Sequence, residues 1–395
     1  MGAASSIHIN DLLSIDPFQT FTILTNSQTR NCVVHNIGFL EYESIERNYD
    51  RFIIGDFILT TLFFAKDNSS LMETALKNLI MRHVSGIAIK TIYYKSIPSH
   101  IIKLANENHV CILLFDDIYI EDIISVAKDQ LKNAEKLNLA EATINQILNN
   151  RNDTAHILAS ANALCSHFHK YICSYYLLPS EQNFNLKSFW NTYQPTYSSD
   201  DCFLSIYPFR NGLLFLQSSS DKLFPSDQRY QKFTHFLDSL GLSQEQFYTG
   251  INFENMPLEN VKTSIKTSIY YAHVAHYLSL KKLDNTEVGI YNMLLPILDS
   301  PYHLSSLEHA MATIKEYDSN HNSDLYDTLI LYIENNGNIS TTAKQLFQHP
   351  NTIRYRVTKM KELLNIVGPN EDCFYEYLYM LVHAYRLKEF IPWLS

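Results

Sequence analysis

The sequence predicts a multidomain protein in three parts: an N-terminal α/β domain, an α+β middle, and an all-α end carrying a helix-turn-helix. Three observations point there. Strand-like and helix-like segments alternate over the first ~130 residues, the pattern of a mostly parallel sheet. A long helical stretch without Pro or Gly follows, and from Ser323 onward the periodicity is helical throughout. The 395 residues allow two or three domains, at roughly 100–200 residues each.

The alternation opens with the apolar run Phe57–Phe64, bounded by Gly55-Asp56 and Lys66-Asp67-Asn68. Leu71, Ala75, Leu76 and Leu79 then recur at helical spacing. Gly86–Lys90 reads as a buried strand, Pro98 opens a second helix, Val110–Phe115 is another buried strand, and a helix starts near Ile120. Open parallel sheets bind small ligands beyond the carboxyl ends of their strands. Those ends are Thr60-Thr61, Lys90-Thr91 and Phe115-Asp116-Asp117, so Thr60, Thr61 and Lys90 are the candidate ligand-pocket residues. The same residues also suit plain strand-end capping.

Residues 120–148 read as one long helix, residues 149–153 as a polar break, and 155–178 as a second helix. Long helices in such a place serve as a dimer seam or as domain packing. The sequence organises into an α/β domain at 7–130, a helical linker or dimerisation segment at 131–180, an α+β block at 181–300 and a helix-turn-helix domain at 320–390. In the middle block, 213–217 and 247–251 read as strands and 261–280 as a helix. A short helix lies near 307–317 and an aromatic one at 374–387.

Composition excludes several classes. Apolar residues make up 46 % and charged ones 18 %, unlike a disordered chain. The net charge of −10 argues against general polyanion binding, so any nucleic-acid contact must be a local basic patch. Six cysteines without a CxxC pair fit a reduced cytoplasmic setting better than a disulfide framework or structural zinc. No apolar stretch reaches the ~18 residues of a membrane span. Met1–Ser6 fits a myristoylation pattern but reads more simply as a frayed terminus or a cloning remnant.

The segment Ser323–Ile366 carries the chemistry. Ser323 reads as an N-cap, with Asp324 and Asp327 in the first turn. Leu325, Leu329, Tyr332 and Ile333 mark an apolar face, and Asn335-Asn336-Gly337 is a stop signal. After a short helix containing Ala343 and a turn at residues 347–349, Pro350 opens a third helix. Ile353, Val357, Met360 and Leu364 form its buried stripe. Residues 350–361 carry four positive charges and no negative one. Asn, Thr and Arg on the N-terminal half of such a helix are the groups that read base edges in a major groove, while lysines hold phosphates. A three-helix packing unit with a solvated basic face would show the same charges.

Residues 337–346, Gly-Asn-Ile-Ser-Thr-Thr-Ala-Lys-Gln-Leu, lead into residues 349–357, His-Pro-Asn-Thr-Ile-Arg-Tyr-Arg-Val. Together they resemble the C-terminal helix-turn-helix of PucR/CdaR-type bacterial transcription regulators. Asn10–Leu13, Gly55–Thr61, Gly86–Lys90 and Ile97-Pro98 look like that family's N-terminal domain. Residues 248–251 and the helix 265–277 look like its degenerate GGDEF-like domain, without the GGDEF tetrapeptide of a cyclase. Pro350 stands where the family commonly has Arg, which removes one cation.

The resemblance implies a non-enzymatic, effector-responsive regulator, dimeric and cytoplasmic, without cofactor. It would bind double-stranded operator DNA upstream of a purine or amino-acid catabolic operon and respond to a small-molecule effector. Thr342, Lys344, His349, Asn351, Thr352, Arg354, Tyr355, Arg356 and Lys359 are the implied DNA-contact residues. A metabolite-binding protein-interaction module is the competing reading. Asp116-Asp117 and the pairs His167/His169 and His273/His276 could ligate a metal but lack completing partners, and read as structural. No GxSxG, Walker A or GxGxxG motif occurs.

Overall fold

The computed structural model describes residues 6–41, 49–150, 153–181, 184, 196–199, 202–365 and 371–391. Met1–Ala4, Ser5 and so most of the N-terminal lipidation pattern lie outside them. The described residues divide into two compact units, one up to Gln146 and one from Ile147 onward.

In the first unit a short antiparallel pair, β1 (Ile7–His8) with β3 (Val33–Val34), sits beside a five-stranded sheet. The sheet order is β2 (Thr22–Ile23), β7 (Cys111–Phe115), β6 (Gly86–Lys90), β5 (Asp56–Thr60), β4 (Asn36–Phe39). The four longer strands run parallel and β2 closes the edge antiparallel. Parallel strands covered on both faces need apolar residues at every position, which is why these segments read as continuous apolar runs. Ile58, Ile87, Ile89 and Ile112 pack beneath α2 (Ser69–Met81) and α3 (Ser99–Glu107). Phe57, Leu59, Ala88 and Leu113 pack on the other face, against α1 (Ile9–Leu13) and the first turns of α4 (Ile120–Asn149) through Ile123 and Ala127.

The second unit begins with α5 (Thr154–Leu164). The predicted second helix does not continue to residue 178: Tyr171–Pro179 is β8, the third strand of a six-stranded sheet. Its interior is buried on both faces, and such a run has no period to separate it from a buried helix. His167 and His169 therefore lie in the connection to β8 and not on a helix. The sheet order is β13 (Lys282–Asp284), β12 (Phe247–Pro257), β8, β11 (Gly212–Ser219), β10 (Cys202–Phe209), β9 (Thr196–Ser199). All pairings are antiparallel except β12 with β13. The predicted strands at 213–217 and 247–251 are the centres of β11 and β12. Unforeseen were β10 and the helix α6 (Ser226–Ser239).

Helix α7 (Val261–Tyr277) lies on β8 and β12, and its apolar side continues into the C-terminal helices. These are α8 (Tyr291–Leu298), α9 (Pro301–His321), α10 (Leu325–Glu334), α11 (Ile339–Gln345), α12 (Pro350–Leu363) and α13 (Glu371–Phe390). Tyr270 and Val274 of α7 belong to one buried cluster with Leu298, Met311, Leu329, Met360 and Leu378.

Close approach of α7 to its sheet depends on Gly250 of β12. A Cβ there would stand 2.0 Å from the Ser268 carbonyl and 2.2 Å from the Ala272 amide nitrogen. Backbone cannot step aside as a side-chain tip can, so Gly250→Ala is expected to lower stability by about 3 kcal/mol, read as a shifted urea midpoint. His273 on the same helix is 8 % exposed and stacked near Tyr176. Burial first, then His276 and Arg210, lower its pKa to about 4. The unfolded chain binds that proton near pH 6.5, so stability falls as pH drops from 6.5 toward 4, by on the order of 3 kcal/mol. His273→Phe is expected to flatten that part of the pH–stability curve.

Candidate functional site

The C-terminal helices build a helix-turn-helix from local rules. Helix α10 ends at Asn335, where Asn336 and Gly337 take positive φ and the Gly337 amide bonds back to the Tyr332 carbonyl at 2.8 Å. Asn338 then caps α11, its side chain accepting from the Thr341 amide at 3.0 Å. Ala343 is buried where α11 crosses α12, because only a small side chain lets the two backbones approach. His349 caps α12 by accepting the Asn351 amide on Nδ1, which leaves Nε2 as its outward donor. Pro350 occupies the first helical position, as predicted.

The predicted cap of α10 differs in the structure. Ser323 is not the N-cap. Its hydroxyl and the amides of Leu325 and Tyr326 all donate to the Asp318 carboxylate of α9, at 2.5, 2.7 and 2.8 Å. A residue from the preceding helix thus supplies the anion that the N-terminus of α10 requires.

The nine sequence-predicted contact residues divide into two groups. Thr342 is fully buried and its hydroxyl donates to the Asn338 carbonyl, so its side chain presents nothing outward. Arg356 points back: Nη1 donates to Thr328 Oγ1 at 2.9 Å and Nη2 to Asp324 Oδ2 at 2.8 Å. Lys359 bonds Glu362 at 3.0 Å, and its ammonium lies 5.5 Å from the Tyr317 ring centroid. Outward lie Lys344, His349, Asn351, Arg354 and Tyr355, with Thr352 half-buried. Asn351, Arg354, Tyr355 and Thr358 step by three, one and three, which is one helical face. Arg354 Nη1 donates to Asn351 Oδ1 at 2.8 Å, so the guanidinium and the amide are held side by side. Thr358 was missed as a contact candidate, and only its place in this series reveals it.

The ligand-pocket candidates fare unevenly. Thr60 is buried, and its hydroxyl accepts the Leu62 amide at 3.0 Å, so it is a strand-end turn residue. Thr61 gives both its amide and hydroxyl to Glu41 Oε1 at 2.6 Å. Lys90 stands one strand over, its ammonium 5.8 Å from the Tyr119 ring centroid. Glu41 escaped the sequence reading because its position beside Thr61 comes from the pairing of β4 with β5. Exposed apolar side chains follow the parallel strands at this end: Phe39, Phe63, Ile92 and Tyr119.

The rival metal sites do not assemble. Asp116 accepts the amide of Asp117, a turn residue with positive φ. His273 and His276 are packed among aromatic rings. Among the described residues no group of three or more His, Cys, Asp or Glu could hold a metal ion.

Two directional ties therefore set the helix-turn-helix: Asp318 on the start of α10, and Arg356 between α12 and α10. Asp318→Ala is expected to cost about 1–2 kcal/mol as a lost helix cap. Arg356→Met keeps the packed stem and removes the charge-assisted bonds, costing about 1.5–3 kcal/mol. Thermal unfolding followed by circular dichroism measures both.

Comparison with known proteins agrees with this geometry. Residues 325–369 match the PucR C-terminal helix-turn-helix domain, and residues 11–131 match the purine catabolism regulatory protein-like family. The DNA-binding transcriptional activator AdeR of Bacillus subtilis is 23 % identical over 141 residues, 36 % of this chain and 32 % of AdeR. The proline-responsive transcriptional activator PutR of the same organism is 32 % identical over 80 residues, 20 % of each chain. The chain thus spans a third or less of the length of these curated relatives. A regulator of polyketide synthase expression from Bifidobacterium adolescentis aligns over 64 % of this chain and 94 % of its own. Its 15 % identity and TM-score of 0.30 carry no argument. These relatives are regulators and not enzymes. The chain thus carries a domain of the purine catabolism regulatory protein-like family at one end and a PucR-type helix-turn-helix at the other.

Proposed function

We propose that this protein is an effector-responsive transcription regulator that reads duplex DNA with α12. The observation that carries the proposal is the exposed face Asn351, Arg354, Tyr355, Thr358 on the third helix of a PucR-type helix-turn-helix. Arg pairs two acceptors on guanine and Asn pairs adenine. Lys344, the His349 Nε2 donor and the open N-terminus of α12 suit phosphate oxygens. Thr342 and Arg356 are positioning residues in this reading, and Lys359 a secondary phosphate contact that must leave Glu362.

Two copies reading two half-sites would follow the two-fold symmetry usual for such motifs. The effector, a purine-related metabolite or an amino acid, is placed at the carboxyl ends of β5 and β6, beside Thr61, Glu41 and Lys90. The relatives' names favour activation, of a catabolic operon. The antiparallel sheet with α6 and α7 is read as the degenerate GGDEF-like domain. No helix among the described residues is long and apolar enough to cross a membrane; action in the cytoplasm is part of the regulator reading.

Fluorescence anisotropy with the promoter region beside this protein's own gene, against a scrambled duplex, tests the reading. Wild type is expected to prefer the native sequence and to weaken steeply with salt. Arg354→Ala is expected to lose about 1–3 kcal/mol of that preference. Lys344→Ala weakens both duplexes alike and flattens the salt slope by about one unit. Equal binding of both duplexes by wild type, with or without purines and amino acids, would refute the proposal.

A further inference from the structure

The turn that joins α11 to α12 holds a residue that destabilises the fold twice over. Phe347 is 94 % exposed, the most exposed large apolar side chain among the described residues. Its φ of 54° is left-handed. The turn closes by the pattern usual at a helix end: the Phe347 amide donates to the Lys344 carbonyl at 3.2 Å, and the Gln348 amide to the Ala343 carbonyl at 2.8 Å. Such an end favours glycine or asparagine at the left-handed position, because a Cβ there crowds the carbonyl oxygen that follows. Phenylalanine adds to that strain an aromatic ring left in water. At that exposure the ring has almost no packing within the chain to offset either cost. Strain without compensation in the fold marks positions retained for a function.

The surroundings point to the partner. Lys344 and His349 flank Phe347, both exposed, and Asn351 and Arg354 follow on the outward face of α12. In the regulator reading, on which this inference rests, α11 crosses the DNA backbone and α12 enters the major groove by its N-terminal residues. The turn between them then lies at the groove edge, between the groups assigned to phosphates and those assigned to bases. A phenyl ring gains nothing from a phosphate oxygen, since it has no donor and its face is negative. The apolar group that base pairs present in the major groove is the thymine 5-methyl.

We propose that Phe347 is a specificity-determining residue, whose ring packs on a thymine 5-methyl group at the edge of the major groove. It adds an apolar contact to the hydrogen-bonding pair Asn351 and Arg354, and it comes from the turn and not from the reading helix.

The test uses two duplexes of the promoter region beside this protein's own gene, one with thymine and one with every thymine replaced by uracil. The replacement removes the methyl groups and keeps every hydrogen-bonding group. Fluorescence anisotropy compares wild type with Phe347→Gly and Phe347→Ala. Changes in duplex stiffness act on all three proteins alike and cancel in the comparison. Burying one methyl is worth about fourfold in affinity, so uracil is expected to weaken wild type at least threefold more than either variant. Phe347→Gly also relieves the left-handed strain, and its thermal midpoint is expected to rise while its affinity for the thymine duplex falls. Phe347→Ala keeps the Cβ, so it separates loss of the ring from a loosened turn. Equal sensitivity of all three proteins to uracil would overturn the assignment, as would a wild type indifferent to uracil. Self-association of the free chain that Phe347→Ala abolishes, read by sedimentation velocity, would place the ring between copies and overturn it as well. A wild type with no preference for the native over a scrambled duplex fails the regulator reading and this inference together; a preference that persists with equal uracil sensitivity sinks this inference alone.

Discussion

The helix-turn-helix depends on a bond made by a residue that looks, in sequence, like part of its contact surface. Arg356 sits on α12 but turns inward, tying that helix to Thr328 and Asp324 of α10. The apolar stripe of α12 can hold it against its neighbours but is non-directional, and tolerates sliding and rotation. Two guanidinium bonds in a fixed fork are not so tolerant. They set the rotation of α12 about its axis, which places Asn351, Arg354, Tyr355 and Thr358 on the outside. In the proposed reading the side-chain tips of this face must keep their positions to within about 0.5 Å, and Arg356 supplies that constraint.

This division of labour changes the electrostatics. Residues 350–361 bring four cations, yet Arg356 is spent on α10 and Lys359 on Glu362. The outward positive charge is smaller than the sequence suggests. In a protein of net charge −10, attraction to DNA at long range is correspondingly modest. In the proposed reading, close-range groups then supply much of the specificity: the paired Arg354 and Asn351, and the backbone donors at the start of α12.

Much of the fold was legible in the chain. The parallel strands of the first unit were visible as short apolar runs, and α12 as a stripe at 353, 357 and 360. The third helix start was marked by Pro350. What escaped was of two kinds. β8 is not distinguishable from a helix in the sequence, because a central strand buried on both faces carries no alternation to betray it. The partners of Asp318, Glu41, Arg356 and Thr342 are not announced by the sequence, because they are set by residues distant in the chain or by burial. Asp318 lies on the preceding helix, Glu41 meets Thr61 only through the pairing of β4 with β5, and Arg356 reaches back 28 and 32 residues. Residue type announces what a side chain can do; only the tertiary structure decides which way it faces.

The C-terminal helices are not an appended module on a flexible tether. Their core is continuous with α7, from Tyr270 and Val274 through Met311 and Leu329 to Met360 beneath the exposed face of α12. Packed cores respond to strain by moving between discrete arrangements, since they are too dense to deform smoothly. Any effector that acts on α12 must favour one arrangement of these helices over another, because a ligand indifferent between them shifts nothing.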